Sequence, residues 1–368
     1  MVRVRHTSIH SALRRDLLAW YSANQRDLPW RRTRDPYAIW ISEAMLQQTR
    51  VETVLAYWPR FLTRFPDIAS LAASREDDVL AAWSGLGYYR RARALREAAC
   101  AIVERHGGVF PRERASVLAL PGIGPYTAGA VLSIALGQRE PLVDGNVARV
   151  FSRLFAVEHG LGTVDSNRRL WELAQELLPE SGNPGDWNQA LMELGATLCT
   201  AKSPSCERCP LAHSCLARKQ GRVPCLPLPK PRVQMLDVEV EVLVVRRKGG
   251  VLLERRGESA SRMAGLFELP TREVGTPSGL FRAQWEPEGL FLVGSEIGRA
   301  RHTITCHRID VSVREGRLAA GGKLPECFSW VDHAQATQLA LTGMARKVLR
   351  AQARSLGSAT PGSAHSSP

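Results

Sequence analysis

Four cysteines fall in one short run, Cys199, Cys206, Cys209 and Cys215, spaced C-x6-C-x2-C-x5-C. Four thiolates this close in the chain can converge on one metal centre. A cube-shaped iron–sulfur cluster takes four such ligands, and so does a structural zinc. Zinc sites usually use paired C-x2-C arms, and this run holds a single such arm. The other cysteines, Cys100, Cys225, Cys306 and Cys327, are scattered, which argues against a secreted disulfide framework and for a reducing compartment.

Upstream lies LPGIGPYTAGA (120–130), where Gly122 and Gly124 flank Ile123 ahead of an apolar helical run. Glycine permits close backbone approach, and a helix start presents N–H groups to an anion. A lone G-x-G would read as a glycine-rich turn between helices; the full string resembles the helix-hairpin-helix motif, which implies a backbone cradle for a DNA phosphate that does not read sequence. Next comes Asp144, in PLVDGNVARV. As an isolated residue it reads as a helix cap. Breaking an N-glycosidic bond, however, builds positive charge on the sugar, and a fixed carboxylate beside it stabilises or traps that charge. Asn146 is placed to orient the carboxylate or to touch the DNA backbone. A second carboxylate, Glu43, sits beside Ile41, Met45 and Leu46. It reads equally as a first-turn acid facing the helix dipole or as a general acid whose proton affinity is raised by desolvation.

These groups need elements to hold them. From about Ser8 to Cys199 apolar residues recur at spacings of three and four. Helices are expected over IHSALRRDLLAWYSAN, ISEAMLQQTRVETVLAYWPRFL, REDDVLAAWSGL and RARALREAACAIVERHG, punctuated by Gly and Pro. This half is all-α. Residues 218–234 are rich in Pro and basic residues and read as a semi-extended linker. Beyond it, VEVEVLVVRR and VLLERR around KGG predict a β-hairpin, HTITCHRIDVSV (302–313) alternates like a strand, and 339–354 reads as a closing helix. The second domain is therefore α+β, and the tail 355–368 reads as disordered.

The chain has 368 residues, 44% of them hydrophobic, enough for two domains with real cores. Its net charge of +13 suits a polyanionic partner, above all nucleic acid. No apolar stretch is long enough to span a bilayer, and MVRVRHTSIH lacks the apolar core of a signal peptide. A cytoplasmic, nucleoid-associated protein is expected, with no membrane partner.

ISEAMLQQT, GLGYY (85–89), LPGIGPYTAGA, VDGNVARV, WNQALMELGATLC (187–199) and the cysteine run occur in this order. The set closely resembles the adenine DNA glycosylases of the MutY type, in the helix-hairpin-helix superfamily that includes endonuclease III. The resemblance implies an all-α helix-hairpin-helix glycosylase domain with an iron–sulfur cluster loop (1–217), the linker (218–234) and an α+β Nudix-like domain recognising 8-oxoguanine (235–354). It implies that Glu43 protonates N7 of a flipped adenine and that Asp144 stabilises the sugar cation. Tyr126 stands where bifunctional relatives carry a Schiff-base lysine, so a monofunctional enzyme is expected, with the Tyr126 hydroxyl assisting Asp144. Trp30, Arg31, Leu46 and Gln189 match an adenine pocket. Gln48 and Tyr88 match wedges that act as the base flips, with Thr49 and Leu86 beside them at the DNA. The cysteines would hold a [4Fe–4S] cluster in a structural, DNA-binding role, with Lys202 and Arg208 facing phosphates and Arg149 near the cluster.

The partner implied is double-stranded DNA carrying adenine opposite 8-oxoguanine or guanine, bound by a monomer. The family's second domain is related to Nudix hydrolases, but the glutamate-rich magnesium helix of that signature is missing, so no nucleotide hydrolysis is expected. Many bacterial members carry Phe-Ser-His where this chain has Ile304, Thr305 and Cys306; Thr305 keeps a hydroxyl for the oxidised base. The rivals are an endonuclease III-like glycosylase/lyase for oxidised pyrimidines and a non-catalytic iron–sulfur DNA-binding protein.

Overall fold

The computed structural model describes residues 2–229, 234–257, 260, 263–274, 289–304, 306–321, 323–336 and 339–357. The chain forms two compact units, Met1–Ser74 with Arg91–Arg232, and Arg75–Arg90 with Val233–Pro368.

Ahead of the sheet the chain forms α1 (Val2–Asn24), α2 (Pro36–Leu46), α3 (Val51–Arg64), α4 (Ile68–Ala73), α5 (Glu76–Ala82), α6 (Arg90–His106), α7 (Arg114–Leu118), α8 (Pro125–Ile134), α9 (Gly145–Leu154), α10 (Val164–Leu177), α11 (Pro184–Thr197) and α12 (Leu216–Lys219); α5 falls in the second unit and the others, from Arg91 on in α6, make up the first, helical unit. Their starts follow local chemistry. Asp35, Asp144, Thr163 and Asn183 each cap a helix with a side-chain oxygen on an early N–H, and α2, α8 and α11 begin on proline. Helix α11 packs on α1, α8 and α9, and α2 packs on α3 and α8. Trp40, Phe61, Phe151 and Trp187 are fully enclosed in this unit. Burial of such side chains, roughly 2 kcal/mol each, sets the frame on which the polar groups sit.

The expected single helix over 41–62 is two helices. The chain breaks at Gln47–Arg50, where Gln48 has φ +56°. No glycine or proline marks this corner. It is held from elsewhere: the Arg91 guanidinium donates to the carbonyls of Ala44, Met45 and Gln47, capping the end of α2.

The second unit carries a seven-stranded mixed sheet and, at its end, α13 (His333–Ala336) and α14 (Gly343–Gly357). The strands are β1 (Leu236–Arg247), β2 (Gly250–Arg255), β3 (Phe267–Glu268), β4 (Thr271–Val274), β5 (Phe291–Ile304), β6 (His307–Leu318) and β7 (Phe328–Asp332). They run in the order β3-β2-β1-β6-β5, with β4 also on β1 and β7 on β2. β1 and β2 form the expected hairpin, turning through Lys248 and Gly249, both at positive φ. β1 runs parallel to β6, and Val240, Val242, Val311 and Val313 face Met344 and Val348 of α14. This is the α+β architecture expected.

The segment expected as one strand over 302–313 is a hairpin corner: β5 ends at Ile304, β6 starts at His307, and these two residues pair. Paired residues share a face, so the inward positions pass from even numbers (302, 304) to odd ones (309, 311, 313) at the corner, a break of phase that a single strand would not show. Thr305 lies outside the described residues.

Candidate active site and iron–sulfur loop

A cavity of about 640 Å³ opens in the helical unit, lined by Trp30, Arg31, Glu43, Leu46, Gln48, Thr49, Tyr126, Asp144, Asn146 and Gln189, all expected from the sequence. Its wall also includes Arg26, Arg149, Met192 and Glu193.

Glu43 projects from α2 and is 4% exposed. Burial, then the nearby Asp144, pushes its carboxyl up, to about 7, against the opposing pull of the Tyr126 hydroxyl and Arg31. The Tyr126 hydroxyl donates to Glu43 Oε2 and also lies 3.5 Å from Met192 Sδ. Tyr126 thus acts on Glu43, not on Asp144 as expected. Asp144 is already occupied: Oδ1 accepts the Val147 N–H at 2.7 Å and Oδ2 accepts the Asn146 amide at 2.9 Å. It is both the cap of α9 and a wall of the cavity. Burial raises its pKa too, while these hydrogen bonds and Arg149 favour its ionised form. One carboxyl is therefore held in reach of protonation at neutral pH, and the other is wrapped in donors suited to a negative charge.

Asn146 is itself oriented. Its Oδ1 accepts from Arg149 Nη2 at 2.9 Å, while Arg149 Nε donates to the Cys199 carbonyl at 2.7 Å and Nη2 to Gly195 O at 2.7 Å. Gly195 is required here, because a Cβ would come within 2.6 Å of Asn146 Cβ and 3.0 Å of its backbone. Across the cavity, Glu193 is fully buried between Arg26 at 2.8 Å and Arg31 at 2.7 Å. Those guanidinium contacts outweigh burial and leave its pKa lowered. Arg31 also stacks over Tyr21. Glu193, Arg26 and Met192 were not singled out from the sequence. The arginines and Glu193 lie far apart in the chain, so no spacing betrays the pairs.

The hairpin joins α7 to α8 through Leu120–Gly124. Gly122 has φ +74°, and a Cβ there would meet Ala94 Cβ at 2.4 Å, so conformation and packing both demand glycine. Gly124 caps α8 in extended conformation. Neither glycine lines the cavity. In the second unit Leu86 is buried, whereas Tyr88 is 59% exposed at φ +49°. Gln48 and Tyr88, the two wedge candidates, thus share an exposed left-handed backbone that non-glycine residues seldom adopt.

All four cysteines of the run line one small cavity with Arg153, Leu198, Ala212 and Val223. Burial, then the three neighbouring thiols, pushes Cys209 up to about 11, so four thiolates need a cationic core between them. Among the described residues no three His, Cys, Asp or Glu groups close on a single-ion position. Convergence of the four cysteines on one cavity fits the four-thiolate ligand set of an iron–sulfur cluster. Lys202 and Arg208 of the loop are exposed.

A glycine-bearing helical hairpin ahead of a cavity with two desolvated carboxyls fits a base-excision DNA repair protein. Residues 41–176 match the model of the HhH-GPD superfamily base excision DNA repair protein, and 199–215 match the iron–sulfur binding domain of endonuclease III. Within that class the chain belongs to the adenine DNA glycosylases: it is 38% identical over 243 residues to the adenine DNA glycosylase of Buchnera aphidicola subsp. Schizaphis graminum, covering 66% of this chain and 70% of that one. It is 46% identical over 219 residues to the Homo sapiens adenine DNA glycosylase, covering 57% of this chain and 40% of that protein. The chain spans less than half the length of this human relative and of the Rattus norvegicus one. A solved thermostable thymine-DNA glycosylase aligns over 58% of this chain and 99% of its own, with TM-score 0.53 and 30% identity. No helix among the described residues is long and apolar enough to cross a membrane.

Proposed function

We propose that this chain is a monofunctional adenine DNA glycosylase that removes adenine paired with 8-oxoguanine or guanine in double-stranded DNA. The observation that carries the proposal is the cavity holding Glu43, with its carboxyl pushed up to about 7, together with the donor-wrapped Asp144. A flipped adenine enters between Trp30, Leu46 and Gln189. Glu43 gives its proton to N7, the N-glycosidic bond breaks, and its electron pair leaves with the base. Asp144 stabilises the sugar cation until water adds to C1′ and the water's proton is lost. With Tyr126 rather than an amine at the hairpin, no Schiff base forms and the strand stays intact. Gln48 and Tyr88 fill or pry the stack, and the hairpin glycines let its backbone approach a phosphate.

The four cysteines hold a [4Fe–4S] cluster, which supplies a cationic core that pins the loop and takes no part in bond breaking. The second unit acts as a Nudix-like reader of the base opposite adenine, using Thr305, which follows Ile304 in the sequence, and not as a hydrolase. The protein works as a monomer.

The test is a single-turnover assay on labelled duplexes carrying A:8-oxoguanine, A:G, A:T and thymine glycol:A, with and without alkali. Cleavage at adenine only after alkali, fastest opposite 8-oxoguanine, is the expected result. Cleavage at thymine glycol without alkali would establish a lyase for oxidised pyrimidines in its place.

A further inference from the structure

Arg153, in the last turn of α9, is 3% exposed and lines the cysteine cavity. Its guanidinium reaches two separate stretches of chain, 199–201 and Leu226. Nη1 donates to Thr200 O at 2.7 Å and to Cys199 Sγ at 3.4 Å. Nη2 donates to Ala201 O at 3.1 Å, and Nε donates to Leu226 O at 2.8 Å. Its own carbonyl lies 3.4 Å from Cys215 Sγ. One side chain therefore joins the first cysteine, the loop after it, and the segment beyond the last cysteine.

The acceptors are revealing. Three are neutral carbonyls, and among the described residues no carboxylate pairs with this cation. A buried guanidinium needs an opposite charge nearby, because desolvation without one costs several kcal/mol. The Cys199 sulfur is the one group within its reach that becomes anionic, and it does so as a cluster ligand. The other arginine on this cavity, Arg218, is 39% exposed and half-solvated.

The segment beyond Cys215 depends on the same contact. The proline-rich stretch read as a linker does not run free through residue 229: Leu226 is 2% exposed and the Leu161 N–H donates to Leu228 O at 3.3 Å. On the cluster side it is held by the Arg153–Leu226 bond, and Val223 lines the cysteine cavity.

We infer that Arg153 is a positioning residue that acts as the buried counter-charge of the cluster and latches residues 222–229 to the helical unit. Cluster occupancy and docking of that segment are then one coupled equilibrium. A cation with an N–H on a ligand sulfur favours the more negative, reduced state and raises the cluster's potential. Losing the cluster strands the cation and loosens the latch.

The test uses the full chain loaded with its cluster, in native form and as Arg153→Gln and Arg153→Lys. Two quantities are read: the cluster's midpoint potential, by redox titration followed by electron paramagnetic resonance, and amide hydrogen exchange over 217–229. Arg153→Gln should lower the potential and speed exchange at least tenfold. Arg153→Lys keeps the charge but cannot bridge both stretches, so it should restore the potential and leave exchange fast. Removing the iron from native protein with a chelator should speed exchange in the same stretch. A native potential in Arg153→Gln, or unchanged exchange after iron removal, overturns the inference. If Arg153→Gln fails to hold its cluster, Arg153→Lys decides, and slow native-like exchange in it is the refuting result. None of these readings depends on which base is excised.

Discussion

Both units bury carboxylates, but they treat them in opposite ways. In the sheet unit Glu268 is met by Arg256 at 2.6 Å, and Glu241 by Arg272 at 2.5 Å with Arg314 at 3.6 Å. In the helical unit Glu43 and Asp144 face one cavity, and among the described residues neither is ion-paired with a cation; a phenol, an amide and a backbone N–H are their partners. Glu193, on the same cavity, behaves like the sheet carboxylates, since Arg26 and Arg31 clamp it. A paired buried carboxylate holds structure together. An unpaired one works against stability, so its presence marks chemistry. Substitutions should therefore have opposite consequences in the two classes.

The largest effect is expected at Asp144. Asp144→Asn keeps a good helix cap but removes the charge that faces the sugar cation. Single-turnover excision should fall on the order of 10³-fold or more, with mismatch binding retained and thermal stability unchanged or higher. Retained turnover would remove Asp144 from the chemistry.

Glu43→Gln comes next. Glutamine cannot supply the proton, so excision should fall by roughly 10²–10⁴-fold. In the native protein the rate should be flat below pH 7 and fall tenfold per pH unit above it, as the carboxyl empties. The stability effect has a defined sign. The folded pKa is raised above the unfolded value, so the folded state binds this proton more tightly. Stability is highest below the unfolded value, 4.5, and declines as pH rises to about 7, by about 3 kcal/mol for this group. Glu43→Gln should flatten that decline and raise the melting temperature above pH 7. A lowered melting temperature would mean Glu43 serves its helix rather than the reaction.

How much of this was legible in the sequence depends on how local each signal is. Glu43, Tyr126, Asp144 and Asn146 stand in short strings whose residue types already imply proton transfer and charge stabilisation, and the fold brings them to one cavity. The Glu193 clamp was invisible, because its arginines sit more than 160 residues away and pairing leaves no periodic trace. The corner after α2 was invisible for a related reason. Its cap is Arg91, over forty residues downstream, so no glycine or proline was needed there. The β5–β6 corner does leave a trace, a break of phase from Ile304 to Ile309, Val311 and Val313, but one slip in a short alternating string is easily passed over as a single strand. The docked stretch ahead of residue 230 was misread because proline-rich composition reports the lack of helix, not the lack of partners. The resemblance put Tyr126 in the site with its hydroxyl on Asp144, whereas the geometry gives that hydroxyl to Glu43, a pairing 83 residues apart that no string encodes.

In the sheet unit, Glu268→Gln breaks the pairing instead of relieving a charge. It replaces the carboxylate that Arg256, 17% exposed, meets at 2.6 Å with a neutral amide. We expect a loss of about 3 kcal/mol in unfolding free energy by denaturant titration. A stabilised variant would erase the contrast between the two units.

The smallest and sharpest effect is expected from Tyr126→Phe. The Tyr126 hydroxyl donates to Glu43 and holds its proton affinity down, opposing burial. Removing the hydroxyl keeps the ring in place but deletes that donor, so the Glu43 carboxyl should retain its proton to higher pH. Excision at pH 7 should change less than tenfold, the scale of one lost hydrogen bond of about 1 kcal/mol. The descending limb of the rate profile should move upward in pH, while Asp144, which has its own donors, is untouched. A limb that stays in place would mean Tyr126 fills space beside Glu43 without tuning it. A limb that moves downward would mean the hydroxyl stabilises the protonated acid rather than the carboxylate.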